Sequence, residues 1–579
     1  MSKGFNFFFY SFLFILIGLL VSCDGLSSSS SSQKNQYAKG EMPLQHGMQL
    51  FNQYCASCHN FSENGIGPNL TGVTAEVDKE WLKTFINNPP AVIESGDKRA
   101  VKLFEKYKQY MPPFPMIAGE DLEDILGFIH KFSEGEKRNK SNRPGGLINP
   151  IAEKIPYADL TLVLEEALVI PPSAEVPPLT RINKMFTAPG ERLFIHDLRG
   201  KLYEINAQQS VSTYLDLASK VSNFIDYPGK ASGFGSWAFH PDFEQNGLFY
   251  TTHTEAPNSA KADFPIPDSL KITLQWVVLE WKANKPSDTV FTGTQREVLR
   301  VDMMSAAHGL QELSFNPLAK PDTEDYGLLY LGIGDGSAAL AGAPYLCDSE
   351  AYIWGSVIRI NPVERTSSNG QYGIPQSNPF VNNPAAVHEI WARGFRNPHR
   401  FCWDESGSGK MFITNIGQHS VEEVNLGKIG ADYGWPKREG TFLFDVDANP
   451  ELVYALPEND SSFTYPVAQF DHDEGSAVSG GYVYHGDKIK ALKGKYIFGD
   501  IARGAVFYSE VEEMIDGQQA PVYRLNLAFE GKVQDMIEIT NNKRVELRIG
   551  QDNEGDLYLM CKSNGTIYKI VDCKPSELL

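Results

Sequence analysis

Cysteine is scarce. Seven in 579 residues exclude a small disulfide-built scaffold. Positive charge is also in short supply: 52 Lys and Arg stand against 72 Asp and Glu, a net charge of −20, which argues against nucleic acid or an anionic membrane surface as the main partner. Charged residues reach only 21% against 42% hydrophobic, so the chain can bury a core and disorder is not its default state. Plentiful instead are turn formers and rings. Fifty Gly, 35 Pro and 12% aromatics, with many short Tyr/Phe/Val/Ile runs, favour a turn-rich β protein over a helical bundle. The length allows about three to five domains, or fewer if one is a large all-β fold.

The N-terminus has one lysine, Lys3, then an apolar run from Phe5 to Val21, then Ser22-Cys23. It resembles a bacterial lipoprotein signal peptide over residues 1–22, with Cys23 as the residue that takes the lipid; an uncleaved membrane anchor is the other reading. Both place the rest of the chain outside the cytoplasm. The expected location is the bacterial cell envelope, lipid-anchored and facing the periplasm or the exterior. Ser27 to Ser32 form an unbroken run, which makes residues 23–40 a flexible tether.

Cys55-Ala-Ser-Cys58-His59 is the strongest local signal. Two thiols on one helical turn can each add to a haem vinyl group, and the next residue sets an imidazole under the iron. A zinc site would need a second cysteine pair, and none lies nearby. The surroundings resemble a class I cytochrome c over residues 41–135. That resemblance implies that the Pro68 carbonyl in Gly67-Pro68-Asn69-Leu70 fixes the His59 ring. It also implies that Met111, in Met111-Pro-Pro-Phe-Pro115, is the second iron ligand, with Met116 a nearby rival. The periodicity predicts a helix over 120–132 with Leu122, Ile125, Leu126, Ile129 and Phe132 on one face. Residues 136–160, poor in apolar side chains, read as a linker.

From about residue 160 a glycine followed by an apolar–aromatic pair recurs. It stands at Gly200, Gly247, Gly327, Gly409, Gly494 and Gly555, about 71 residues apart on average. Alternating strands, glycine turns and so long a period predict a β-propeller of roughly six blades over residues 161–575. The fold class expected is multidomain: a small all-α cytochrome c domain followed by an all-β six-bladed β-propeller.

Segments spread through that region resemble the PQQ-dependent glucose and aldose sugar dehydrogenases, the glucose/sorbosone dehydrogenase family. They include Gly233–Phe243, His308-Gly-Leu-Gln-Glu-Leu-Ser-Phe315, Arg393-Gly-Phe-Arg-Asn-Pro398, Gly417-Gln-His-Ser-Val-Glu-Glu-Val-Asn425 and Asp432-Tyr-Gly-Trp-Pro436. The resemblance implies His308 as general base and Arg396, Asn397, Arg503 and His485 as PQQ contacts. It also implies the Gly417 and Gln418 carbonyls as ligands of a Ca²⁺ beside PQQ, and Glu423 and the Tyr433 carbonyl as ligands of a structural Ca²⁺. The chain departs from the family pattern at Ala231, Ala307, Gln311 and His485. A branch of this family is non-catalytic. Two functions are therefore expected. One is an exported quinohaemoprotein with haem c, PQQ and Ca²⁺ that oxidises a sugar or polyol and passes electrons through its own haem to a cytochrome or terminal oxidase. The other is a propeller that binds glycans or proteins, attached to an electron-carrying cytochrome. Nucleic acid is not an expected partner. Cys347, Cys402, Cys561 and Cys573 remain, and their three possible pairings stay open.

Overall fold

The computed structural model describes residues 37–578, apart from 57, 60, 62–66, 108–110, 134–142, 176, 228–230, 406 and 458–459. Cys23 and the export signal lie outside the described residues.

The first part is helical. Helices Glu41–Tyr54 and Glu120–Ser133 cross, and shorter helices Lys79–Asn87, Pro89–Glu94 and Lys98–Tyr107 lie between them in sequence. Leu50, Phe51, Leu122, Ile125, Leu126, Phe128 and Ile129 form a shared core, as the apolar periodicity of 120–132 requires. Gly47 permits the close crossing, because a Cβ there would stand 2.0 Å from the Asp124 carbonyl oxygen.

The remainder is a ring of six four-stranded antiparallel blades. The first three open with Ile182–Ala188, Phe234–Phe239 and Leu310–Phe315, the last three with Pro398–Trp403, Val478–Val483 and Leu547–Gln551. These six strands are innermost, and each packs on the next until the sixth meets the first. The last blade borrows its outer strand. Tyr157–Val169 pairs antiparallel with Thr566–Lys574 and parallel with Tyr523–Phe529 of blade five, so chain start and chain end are stitched together. This strand begins inside the stretch expected as linker. The part of that stretch which is described runs along blade four: Arg143 pairs with Asp445 at 2.7 Å, and the Ile151 amide donates to Asp471 at 2.9 Å.

All six repeat glycines have positive φ, between 67° and 109°, which an L-residue adopts at a cost. Five of them lead into the second strand of a blade. Gly200 leads into the third strand of blade one, where Gly190 makes the earlier turn. Both hairpins of a blade need a left-handed turn residue, so the pattern does not tell them apart. The thiols of Cys347, Cys402, Cys561 and Cys573 are free.

The propeller axis is filled with charge. Lys184 Nζ reaches Glu312 at 2.5 Å and Arg400 lies 3.4 Å from the same carboxylate. Arg400 also donates to the carbonyls of Asn183 and Gln311, and Arg548 Nε donates to Asn183 Oδ1 at 2.9 Å. Blades one, three, four and six are thus tied across the centre. Removing one partner of a buried pair strands the other charge. Glu312→Leu is therefore expected to lower unfolding free energy by about 3–5 kcal/mol, read as a drop in the denaturant midpoint of the full chain; an unchanged midpoint would contradict it.

Candidate functional site

Helix Glu41–Tyr54 ends in a turn that presents two thiols and an imidazole. The Cys58 and His59 amides both donate to the Cys55 carbonyl, at 3.0 and 2.9 Å. His59 Nδ1 donates to the Pro68 carbonyl at 2.9 Å, which leaves Nε2 as the ligating nitrogen. Gly67 is required beneath the ring: a Cβ there would lie 2.3 Å from His59 Cε1. Met111 faces the same cavity as Cys55, Cys58 and His59, and Met116 is not among its lining residues. The Met111 loop is pinned where the Phe114 amide meets the Ile86 carbonyl at 3.1 Å. These groups fit a covalently held, axially ligated haem.

That cavity does not end at the cytochrome. Its volume of about 450 Å³ continues into the propeller mouth, where Ala231, Ala306, Ala307, His308, Gln311, Asn397, His399, Arg544, Glu546, Arg548 and Lys562 line it. Tyr54 at the edge of the haem seat meets Thr273 of blade two at 3.2 Å, and Asp121 of the last cytochrome helix pairs with Lys271.

His308 has φ of +54°, and its Nδ1 lies 2.7 Å from Asp335 Oδ1. Asp335 also accepts from the Ser337 amide and from Trp435 Nε1. A carboxylate only accepts, so His308 carries its proton on Nδ1 and keeps Nε2 as a base. Burial, and then the nearby Arg396 guanidinium, push the imidazole below its ordinary value. Burial pushes Asp335 upward, but the His308 ring and its hydrogen bonds hold it below the usual carboxylate range. Two buried polar atoms at the cavity, Asn397 Oδ1 and His399 Nε2, have no partner among the described residues. An imidazole base beside orphaned polar atoms and cations suits a polar, anionic guest.

The profile of the glucose/sorbosone dehydrogenase family matches residues 179–569, and that of cytochrome c matches residues 44–133. The chain belongs to the glucose/sorbosone dehydrogenase family. Among curated proteins it is 28% identical over 347 residues to HIPL2 protein of Arabidopsis thaliana, covering 53% of this chain and 47% of that one. It is 26% identical over 273 residues to quinoprotein glucose dehydrogenase B of Acinetobacter calcoaceticus, covering 45% and 52%. The chain spans about half the length of the curated relatives it matches. A crystal structure of a glucose dehydrogenase superposes with a TM-score of 0.51 at 17% identity, over 70% of this chain and 99% of that one, a likeness of fold.

Within this glucose/sorbosone dehydrogenase fold the expected site residues divide. His308 and Asn397 line the cavity; Arg396, Arg503, His485, Gly417 and Gln418 are not among its lining residues. Arg396 is buried behind it, donating to Gln418 Oε1 at 2.8 Å and to the Gly417 carbonyl at 2.6 Å. A guanidinium thus occupies the carbonyl at which Ca²⁺ is expected, so the arrangement present does not fit that ion. The Gln418, His419, Ser420 and Val421 amides all donate to Glu439 Oε1. Glu423 accepts from Asn415, Asn425 and the Gly440 amide, and burial pushes its carboxyl up to about 7. The Tyr433 hydroxyl donates to the Leu426 carbonyl at 2.5 Å. Among the described residues no three His, Cys, Asp or Glu side chains converge as a metal cage. Arg503 sits in a hairpin turn with its amide on Asp500, and His485 packs under Gly555.

The cavity's positive charge comes from residues that the sequence reading passed over. Arg544, Glu546 and Arg548 alternate along the approach to, and first positions of, the inner strand Leu547–Gln551, so they share one face. Arg544 pairs with Glu546. Burial, then Arg400, push Arg548 down to about 9, and burial, then Arg548, hold Lys562 well below its ordinary value. Charge at period two in a strand bound for a propeller centre was the available signal. Met111→Ala is expected to leave haem covalently attached but lower its midpoint potential by on the order of a few tenths of a volt. Potentiometric titration of the haem-loaded protein checks this; an unchanged potential would remove Met111 from the iron.

Proposed function

We propose that this protein is a sugar or polyol dehydrogenase that binds PQQ in the propeller mouth and passes electrons to its own c-type haem. One observation carries the reading: the haem seat and the His308 site open into a single cavity. PQQ, when bound, supplies a two-electron hydride acceptor for the substrate carbon, and haem c supplies a one-electron outlet. The chain's residues do the rest. His308 Nε2 takes the hydroxyl proton as the C–H hydride leaves and the C=O bond forms, and Asp335 holds the ring in the required tautomer. Arg548 and Lys562 offer N–H donors to cofactor carboxylates, and the Asn397 amide oxygen offers an acceptor. The cytochrome roof excludes water and keeps the outlet beside the reaction.

In the test, haem-loaded protein reconstituted with PQQ, in parallel with and without added Ca²⁺, is mixed with D-glucose, other aldoses and polyols, and haem reduction is followed optically. Reduction is expected. His308→Ala should slow it by about 10²–10⁴-fold with the haem spectrum unchanged. Because only the neutral imidazole accepts a proton and its pKa is lowered, the acid limb of the rate should fall below about 6.5, the free imidazole value. An inert panel together with no PQQ uptake would favour the glycan- or protein-binding propeller instead.

We also propose that the chain is exported and held to the cell envelope through lipid on Cys23, its electrons leaving to a respiratory cytochrome or oxidase. The support is the signal-like run ending at Cys23 and the serine tether after it. Labelled fatty acid should enter the wild type and not Cys23→Ala, which should appear in the soluble envelope fraction; equal labelling of both would count against the anchor.

A further inference from the structure

A second histidine shares the mouth with His308. His399 lies on the inner strand Pro398–Trp403, is 2% exposed and lines the cavity. Its tautomer is fixed by a relay. Gln311 Nε2 donates to the Ala231 carbonyl at 3.1 Å. A carbonyl can only accept, so the amide cannot flip and Gln311 turns Oε1 toward His399 Nδ1, 3.0 Å away. His399 therefore holds its proton on Nδ1, and its Nε2 is a bare acceptor with no partner.

The two histidines differ in what supports them. His308 rests on a carboxylate, which stabilises the protonated ring that forms during proton transfer. His399 rests on a neutral amide, which does not, and burial with Arg400 and Arg548 nearby holds its pKa well down. One is built to take a proton and the other only to accept a hydrogen bond. A buried acceptor left without a donor is costly, and a hydroxyl of a bound guest meets that need.

We infer that His399 is a specificity-determining residue whose Nε2 accepts a hydrogen bond from a second substrate hydroxyl, so that the site selects polyhydroxylated substrates over simple alcohols and hemiacetals. The inference rests on the dehydrogenase reading above. It assigns His399 substrate positioning and no part in the bond changes at the reacting carbon.

The test compares D-glucose with tetrahydropyran-2-ol, a cyclic hemiacetal that keeps the anomeric hydroxyl and lacks the others. In PQQ- and haem-loaded protein, His399→Leu should lose about tenfold more kcat/KM on D-glucose than on tetrahydropyran-2-ol, the value of one hydrogen bond, with most of the difference in KM. His399→Gln, which again offers an acceptor oxygen, should recover part of the loss. Haem spectrum and melting temperature show that each variant has folded. Equal losses on both probes, or none, would overturn the inference. A second readout is independent of turnover. In the reduced, diamagnetic protein with ¹⁵N-labelled histidine, His399 should show the Nδ1–H tautomer, and its Nε2 resonance should move on adding D-glucose and not on adding tetrahydropyran-2-ol. An Nε2–H tautomer, or no response to D-glucose, overturns the inference. If the wild type oxidises neither probe, the dehydrogenase reading fails, and this resonance alone decides whether His399 meets a polyol.

Discussion

The ladder between Tyr157–Val169 and Thr566–Lys574 closes the ring, and the mouth exists only because the ring closes. No single blade builds the mouth: His308 and Gln311 come from blade three, Asn397 and His399 from blade four, and Arg544, Glu546, Arg548 and Lys562 from blade six and the approach to it. An open stack of blades would leave these groups in water and far apart. Closure also puts Asn183 of blade one against Arg548 of blade six, so the charged axis and the site are held by the same constraint.

The cytochrome uses that closed ring as a floor. Its haem seat is not a sealed pocket but the upper half of a cavity whose lower half is the propeller mouth. Polar contacts at Tyr54 and Asp121 and the segment that follows the cytochrome along blade four keep the two halves in register. Under the function proposed above, this arrangement replaces an encounter between an oxidising site and a separate carrier with a fixed neighbourhood, where effective concentration takes the place of diffusion.

Within the mouth, chemistry is divided by hydrogen-bond partners more than by residue type. His308 and His399 are the same side chain at two buried positions, but one leans on Asp335 and the other on Gln311. A carboxylate partner favours the charged ring and an amide partner does not, which is why the proposals above give the first ring a proton to take and the second only a hydrogen bond to accept. The basic residues likewise differ: Arg396 and Arg400 donate to protein carbonyls and do not line the cavity, whereas Lys562 lines it, as does Arg548, which also donates to Asn183 Oδ1 and the Leu547 carbonyl.

Local signals were legible because their physics is local. The two thiols and imidazole of Cys55–His59 need only one turn of backbone, Gly67 and Pro68 act a few residues away, and the helix near 120–132 declares itself by its apolar period. Glycine turns spaced about 71 residues apart gave the propeller, because each blade repeats the same hairpins. The closing strand was hidden: Tyr157–Val169 pairs across about four hundred residues of chain, and no local pattern records a partner so distant. Arg548, Lys562 and the Ala231–Gln311–His399 relay were hidden for the same reason, since a strand's alternation says which residues share a face and not what that face meets. By itself, the sequence determined the haem turn and the repeating blades. Only the tertiary structure decided that haem seat and propeller mouth share one cavity and which charges enter it, because burial and hydrogen-bond partners are properties of distant segments brought together.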